Sequence, residues 1–136
     1  DELAALEYLT RVFGFVERRE ARMGTGTADD HLLAWLEFGA GLVMIGHANV
    51  DVHRIQSPAD LGGTTTMINV EVDDVDAHYA HSVAEGATIT MELCDAPYGA
   101  RVYEASDPEG HRWHFHEIHD HVRARGATVP DAVAPC

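Results

Sequence analysis

The chain repeats one order of elements, a helix followed by three strands, and this repeat limits the folds open to it. The first helix begins at residue 1 and ends before Gly14, and the second covers 75–84 and ends at Gly86. Strands are expected over 15–22, 31–38 and 42–47 after the first helix, and over 87–93, 100–106 and 111–118 after the second. A β-branched strand over 64–72 precedes the second helix, and nothing equivalent precedes the first. The sequence therefore predicts a duplicated βαβββ unit whose first strand is absent from the chain as given.

This duplication sets the expected domain organisation. The predicted parts are a first module over 1–47, a linker loop over 48–63, a second module over 64–118 and a C-terminal tail over 119–136. A sheet without its first strand exposes a long edge. We expect either residues upstream of Asp1 or another segment to fill that gap.

The last predicted hairpin, 97–117, carries the residues with the most chemical character. Its turn is Asp-Pro-Glu-Gly over 107–110, in which proline presets the second position and glycine closes the fourth. Side chains of the strand that follows alternate between two faces. Trp113 and Phe115 share one face, which we expect to pack in the core, whereas Arg112, His114 and His116 share the other. The second face is the one suited to a polar ligand.

Composition excludes some classes of partner. The 136 residues include 9 Lys and Arg against 23 Asp and Glu, which gives a formal net charge of −14. Such a charge repels phosphate backbones and anionic lipids, so neither nucleic acid nor a membrane is an expected partner. No apolar run approaches the roughly 20 residues of a membrane span, and no signal-peptide pattern is present. The prediction is a cytoplasmic protein.

Several short motifs, in order, resemble those of the glyoxalase/bleomycin resistance/dioxygenase superfamily, which has the vicinal oxygen chelate fold. They are Glu-Leu-Ala-Ala-Leu-Glu-Tyr from residue 2, Val-Phe-Gly-Phe from 12, Val-Glu-Val-Asp-Asp-Val-Asp from 70, Tyr-Gly-x-Arg from 98 and Asp-Pro-Glu-Gly-His-x-Trp from 107. The last two are most similar to the branch named after a phosphonate-operon protein. The resemblance implies an α+β fold, in which two βαβββ modules form an incomplete eight-stranded barrel around a ligand cleft, commonly in a homodimer.

The resemblance also implies positions for a divalent metal, on the first and last strands of each module. His114 occupies one such position, but Met67 occupies another, and methionine is a poor ligand for a hard or borderline divalent ion. The last strand of the first module, Leu42 to Gly46, offers no carboxylate, and the remaining position falls on the absent strand. We therefore predict no metal and no other cofactor. An alternative metal site would use His114 and His116, with His47 as a further candidate. The competing interpretation is that His116, His119 and His121 are solvated residues at the end of the strand.

The predicted ligand-binding residues are Trp35, Met44, Met67, Tyr98, Arg101 and His114. Met44 and Met67 lie where metal ligands would be, which favours an apolar pocket floor. Tyr98 and Arg101 flank Gly99, where the resemblance places cleft residues. Arg101 either pairs with an anionic ligand group or braces the hairpin through Asp107 or Glu104.

His114 has two interpretations when no metal is present. It is either a hydrogen-bonding or general-base group, or it satisfies a buried neighbour. For a catalytic role, no partner that orients it is evident from the sequence alone.

The leading hypothesis is a metal-independent protein that binds a small molecule, aromatic or cationic, with a role in drug binding or resistance. The alternative is a metal-dependent lyase, isomerase or dioxygenase of the same superfamily that uses His114 and a ligand from the absent strand. A third hypothesis is a dimeric accessory domain with a vestigial cleft. Whether the chain is an enzyme stays open at this point.

Overall fold

The computed structural model describes residues 1–119, which form a mixed α+β fold with two sheets, as the sequence predicts. The helices are α1 (Glu2–Arg11), α2 (Val50–His53), α3 (Pro58–Leu61) and α4 (Val75–Ala84), and a 3-10 turn covers Arg19–Ala21. The strands are β1 (Val16–Glu17), β2 (Leu33–Phe38), β3 (Gly41–Gly46), β4 (Met67–Glu71), β5 (Thr88–Ala96), β6 (Ala100–Ser106) and β7 (Arg112–Ile118). Contacts divide these residues into two compact units, 1–66 with 107–111, and 67–106 with 112–119.

The first unit contains α1 and an antiparallel sheet in the order β1-β2-β3. Asp1 caps α1 by accepting a hydrogen bond from the backbone N–H of Ala4 at 3.0 Å. Buried side chains of α1, of the two residues that follow it and of one face of β2 form the core of this unit. They include Leu6, Leu9, Val12, Phe13, Ala34 and Leu36.

The second unit contains α4 and a sheet in the order β4-β7-β6-β5. Strand β7 runs parallel to β4 and antiparallel to β6, so it occupies an interior position in the sheet. Tyr103, Trp113 and Phe115 are buried, and the hydroxyl of Tyr103 lies 3.0 Å from Ser82 Oγ and 2.7 Å from His78 Nδ1 of α4. The predicted division of β7 into a packed face and a polar face is confirmed.

Several predicted elements agree with the structure. Helix α4 covers 75–84 and strand β6 covers 100–106, both as predicted. The turn at 107–110 is closed by the Gly110 N–H, which donates to the Asp107 carbonyl oxygen at 3.0 Å. The predicted turn is confirmed.

Other predictions of local structure are wrong. The strand expected over 15–22 is limited to Val16–Glu17, because the chain turns through Arg19–Ala21. The loop expected over 48–63 contains α2 and α3. Their first turns are capped by Asn49 and Ser57, whose side-chain oxygens accept backbone N–H groups three residues later.

Two further expectations concern parts of the chain at its limits. Of the tail predicted over 119–136, only His119 is described, and His121 lies outside the described residues. No helix within residues 1–119 is both long and apolar enough to cross a membrane.

Candidate ligand site on the second sheet

Both ring nitrogens of His114, on β7, are engaged by neighbouring side chains. Nδ1 lies 3.3 Å from Oε1 of Glu104, and Nε2 lies 3.0 Å from the hydroxyl oxygen of Tyr98. A carboxylate only accepts hydrogen bonds, so the Glu104 contact places a proton on Nδ1. In the neutral ring, Nε2 is then the acceptor for the Tyr98 hydroxyl. Glu104 thus fixes both the tautomer and the orientation of His114, and supplies the orienting partner that the sequence analysis did not find.

The surrounding charges hold this arrangement in place. The second oxygen of Glu104 accepts a hydrogen bond from Arg112 Nη2 at 2.8 Å. The side chains of Glu104 and His114 are only 16% and 12% exposed, so the hydrogen bond from His114 to the Glu104 carboxylate is largely shielded from water. Burial, and secondarily the charge of Glu104, raises the pKa of Tyr98. Tyr98 therefore remains a protonated hydrogen-bond donor at neutral pH.

His116 lies beside His114 on the same face of β7. The two rings are 5.7 Å apart and tilted by 41°. Burial, followed by the nearby His114, lowers the pKa of His116. Its Nδ1 is buried without a hydrogen-bond partner among the described residues. His116 is thus a neutral polar group beneath the site.

The same face of the sheet continues onto β4, where it meets solvent. Register pairs Met67 with Arg112, Asn69 with His114, and Glu71 with His116. All three β4 residues are exposed, and 41% of the surface of Met67 is accessible to solvent. Paired residues point to the same side of a sheet. The open face therefore combines a thioether, an amide and a carboxylate with the Glu104, His114 and Tyr98 chain.

Arg101 lies on the other face of the sheet. It alternates with Val102 along β6 and shares its side with Tyr103, which packs against α4. Its guanidinium donates two hydrogen bonds to Asp76 of α4, at 2.7 and 3.0 Å, and one to Asp95 at 3.1 Å. These hydrogen bonds raise the pKa of Arg101 and, at Asp76, lower the pKa of the carboxyl group. Arg101 braces α4 against the hairpin, with partners other than the Asp107 or Glu104 considered from the sequence.

The remaining predicted residues, Trp35 and Met44, belong to the first unit. They are direct neighbours across β2 and β3. Trp35 is partly buried, and Met44 is 53% exposed. A shallow depression of about 530 Å³ also lies in this unit, and none of the predicted residues lines it. Its lining consists of Leu3, Leu6, Glu7, Thr10, Phe15, Val16, Glu17, Arg19 and Arg22.

Three of the residues predicted from the sequence, Tyr98, His114 and Met67, thus lie at the open face of the second sheet, together with Glu104, which was not predicted as a site residue. The position of Glu104 opposite His114 follows from the register of the hairpin. The turn at 107–110 sets the hairpin register, which pairs Ser106 with Arg112 and Glu104 with His114. Counting back from the turn predicts the pair.

Comparison with known proteins agrees with this fold. Residues 3–115 match the family described as the Glyoxalase/Bleomycin resistance protein/Dioxygenase superfamily. An uncharacterized protein of Mycobacterium bovis is 32% identical over 120 residues, which span 83% of this chain and 74% of that protein. The chain belongs to this superfamily.

Solved structures give the same result. TioX from Micromonospora sp. ML1 is 35% identical with a TM-score of 0.64, over 88% of this chain and 89% of that one. The genomically encoded fosfomycin resistance protein FosX from Listeria monocytogenes, complexed with Mn(II) and sulfate, has a TM-score of 0.64 at 16% identity. That alignment covers 92% of this chain and 89% of FosX, and at this identity it shows the fold alone.

The described residues do not fit the divalent metal that the family resemblance implies. His114, at the one position with a suitable ligand, has Glu104 at one ring nitrogen and Tyr98 at the other. Coordination through Nε2 would displace the Tyr98 hydroxyl, whereas the Glu104 contact at Nδ1 is compatible with it. Met67 offers only a thioether, and Leu42 to Gly46 on β3 offers no side-chain nitrogen or oxygen.

Proposed function

We propose that this chain binds a small molecule on the open face of its second sheet, and that His114 recognises it without coordinating a metal. The observation that carries the proposal is the engagement of both nitrogens of His114. Nδ1 donates to Glu104, and Nε2, the ring nitrogen with the lone pair, accepts from Tyr98, so the ring acts through hydrogen bonds. The proposal includes a role in drug binding or resistance, by analogy with the bleomycin resistance proteins named in the family description.

The expected ligand is aromatic or cationic. With its proton directed to His114, the Tyr98 oxygen retains lone pairs that accept from an ammonium or N–H group. Tyr98 is 43% exposed, so its ring offers a surface for stacking or for a cation–π contact. Glu71 and Asn69 add acceptors on the exposed strand beside it. An anionic ligand is disfavoured, because Arg112, the arginine of this face, is paired with Glu104 at 2.8 Å, and Arg101 is engaged by Asp76 and Asp95 on the other face.

Two finer assignments belong to the same proposal. The branch named after a phosphonate-operon protein is supported by the Tyr-Gly-x-Arg and Gly-His-x-Trp motifs from residues 98 and 110. A homodimer is expected from the family resemblance, and light scattering of the purified protein tests it. Neither assignment affects the role of His114.

A ligand screen tests the proposal. Planar aromatic and cationic compounds are screened by thermal shift in the presence of a chelator, and the affinity of each hit is measured by calorimetry. Tyr98→Phe should weaken binding about three- to tenfold, because one hydrogen bond is lost, and His114→Gln should weaken it further. Tyr79→Phe is the matched control, since the Tyr79 hydroxyl also makes a side-chain hydrogen bond, to the carboxylate of Glu92, but belongs to α4.

Equal affinity in Tyr98→Phe, His114→Gln and the wild type would contradict the proposal. Binding that is abolished by the chelator and restored by a divalent metal would contradict it as well. Turnover of the hit after the metal is restored would instead favour the metal-dependent lyase, isomerase or dioxygenase.

A further inference from the structure

Three side chains distant in sequence converge on the surface of the first unit. Glu2 lies in the first turn of α1, His31 precedes β2, and His47 follows β3. The Nδ1 atoms of both histidines lie 3.1 Å from the same carboxylate oxygen of Glu2. One nitrogen from each ring and one carboxylate oxygen all lie within 4.8 Å of one another. We propose that Glu2, His31 and His47 form a binding site for a zinc ion.

The distances suit a tetrahedral ion. Zinc bonds imidazole nitrogen and carboxylate oxygen at about 2.0–2.2 Å, so neighbouring ligands of a tetrahedral site lie about 3.3 Å apart. The two nitrogen-to-oxygen distances of 3.1 Å are close to that value. Because the two rings are stacked with planes within 9°, one ion cannot lie in both ring planes, and at least one ring must turn to admit it.

The charges also favour a cation here. The two imidazole rings are stacked, with centroids 3.5 Å apart and planes within 9°. Two protonated rings at this separation repel each other, so Glu2 cannot recruit positive charge from both without cost. A divalent ion supplies that charge while both rings stay neutral. Without the ion, a neutral ring carries its proton on Nδ1, which donates to the Glu2 carboxylate; binding of the metal moves that proton to Nε2 and leaves the Nδ1 lone pair as the ligand.

Burial differs among the three ligands in a way that suits an open site. The side chain of Glu2 is 15% exposed, whereas those of His31 and His47 are each 43% exposed. A glutamate side chain is ordinarily ionised at neutral pH, so Glu2 supplies a carboxylate ligand. Two imidazoles and one carboxylate leave a fourth position for water, as in open zinc sites.

This site is separate from the positions at which the family resemblance implies a metal. Those positions lie on the first and last strands of each module, whereas Glu2 belongs to a helix. The site is also independent of the ligand site at His114, so the metal-independent recognition proposed there is unaffected. A bound ion would tie the start of α1 to the segments on either side of the β2–β3 hairpin.

Calorimetry with zinc alone tests the proposal, on metal-free protein made without a polyhistidine tag. We expect one zinc per chain. Glu2→Gln, His31→Gln and His47→Gln should each weaken binding by about tenfold or more. His53→Gln is the control, since His53 is an exposed histidine of α2 in the same unit, and it should retain the wild-type affinity.

X-ray absorption of the zinc-loaded wild type gives a result that does not depend on how well a variant folds. The expected spectrum shows two imidazoles and oxygen ligands at about 2.0–2.2 Å. Absence of zinc binding would overturn the proposal. Binding that survives all three substitutions at Glu2, His31 and His47 would also overturn it, and would locate the ion elsewhere.

Discussion

The open faces of the two sheets differ in chemistry, although each sheet is packed on one side in its own unit. On the first sheet, the side shared by Trp35 and Met44 is largely apolar, and Val16, Leu42 and Met44 are 64%, 45% and 53% exposed. On the second sheet, the corresponding side carries Glu104, His114 and His116 in a hydrogen-bonded and partly buried arrangement.

This difference separates the packing role that the two sheets share from the ligand-binding role proposed for the second one. The covered faces keep the same task, because a core needs only apolar volume and satisfied polar groups. The other faces differ in what they add. On the second sheet, Ala96, Ala100 and Val102 form a buried apolar cluster on the same face as the hydrogen-bonded Glu104 and His114.

The largest expected effect is the difference in unfolding free energy between truncating a buried residue and truncating an open-face residue in each sheet. Phe115→Ala and Leu36→Ala remove fully buried side chains and should cost about 3–5 and 2–5 kcal/mol of unfolding free energy. Met67→Ala and Met44→Ala, on the open faces, should change it by about 0.5 kcal/mol or less. Urea denaturation measures all four. A large loss at Met44 or Met67 would show that the face is covered.

A smaller effect is expected from the titration of His116, on the polar face of the second sheet, as a change in stability with pH. The pKa of His116 is lowered in the folded chain, so the unfolded chain binds a proton more readily. The stability it contributes is present above its ordinary pKa of about 6.5 and is lost as pH falls through the folded value.

The melting temperature should therefore fall less between about pH 7.5 and pH 5 in His116→Gln than in the wild type. His53→Gln, on the exposed face of α2, should follow the wild type. An equal or greater fall in His116→Gln would contradict the lowered pKa of His116.

Local rules account for much of what the sequence predicted correctly. The caps of α4, the Asp-Pro-Glu-Gly turn and the alternation along β7 are each set by residues close in the chain. Hairpin register is also set locally, so the pairing of Glu104 with His114 could have been predicted from the turn at 107–110. The caps of α2 and α3 were also present in the sequence, at Asn49 and Ser57, but such short helices give no apolar period to detect.

The rest depends on contacts between distant segments. Glu2, His31 and His47 are brought together only by the packing of α1 near the β2–β3 hairpin, and no spacing rule connects them. Arg101 is close to Tyr98 in the sequence, but Tyr98 lies in the turn between β5 and β6, whereas Arg101 lies on β6 with its side chain on the face that packs against α4. Its partners, Asp76 and Asp95, became evident only when α4 was positioned on the sheet.

The central claim is that the second sheet's open face recognises the ligand without a metal. Carbon-13 methyl spectra of the methionines test it directly, because Met67 reports on that face and Met44 on the first sheet's open face. A hit from the screen, added in the presence of a chelator, should shift the Met67 methyl resonance in the wild type and shift it far less in His114→Gln at the same concentration. An unmoved Met67 resonance, or a shift equal in His114→Gln, would contradict the account.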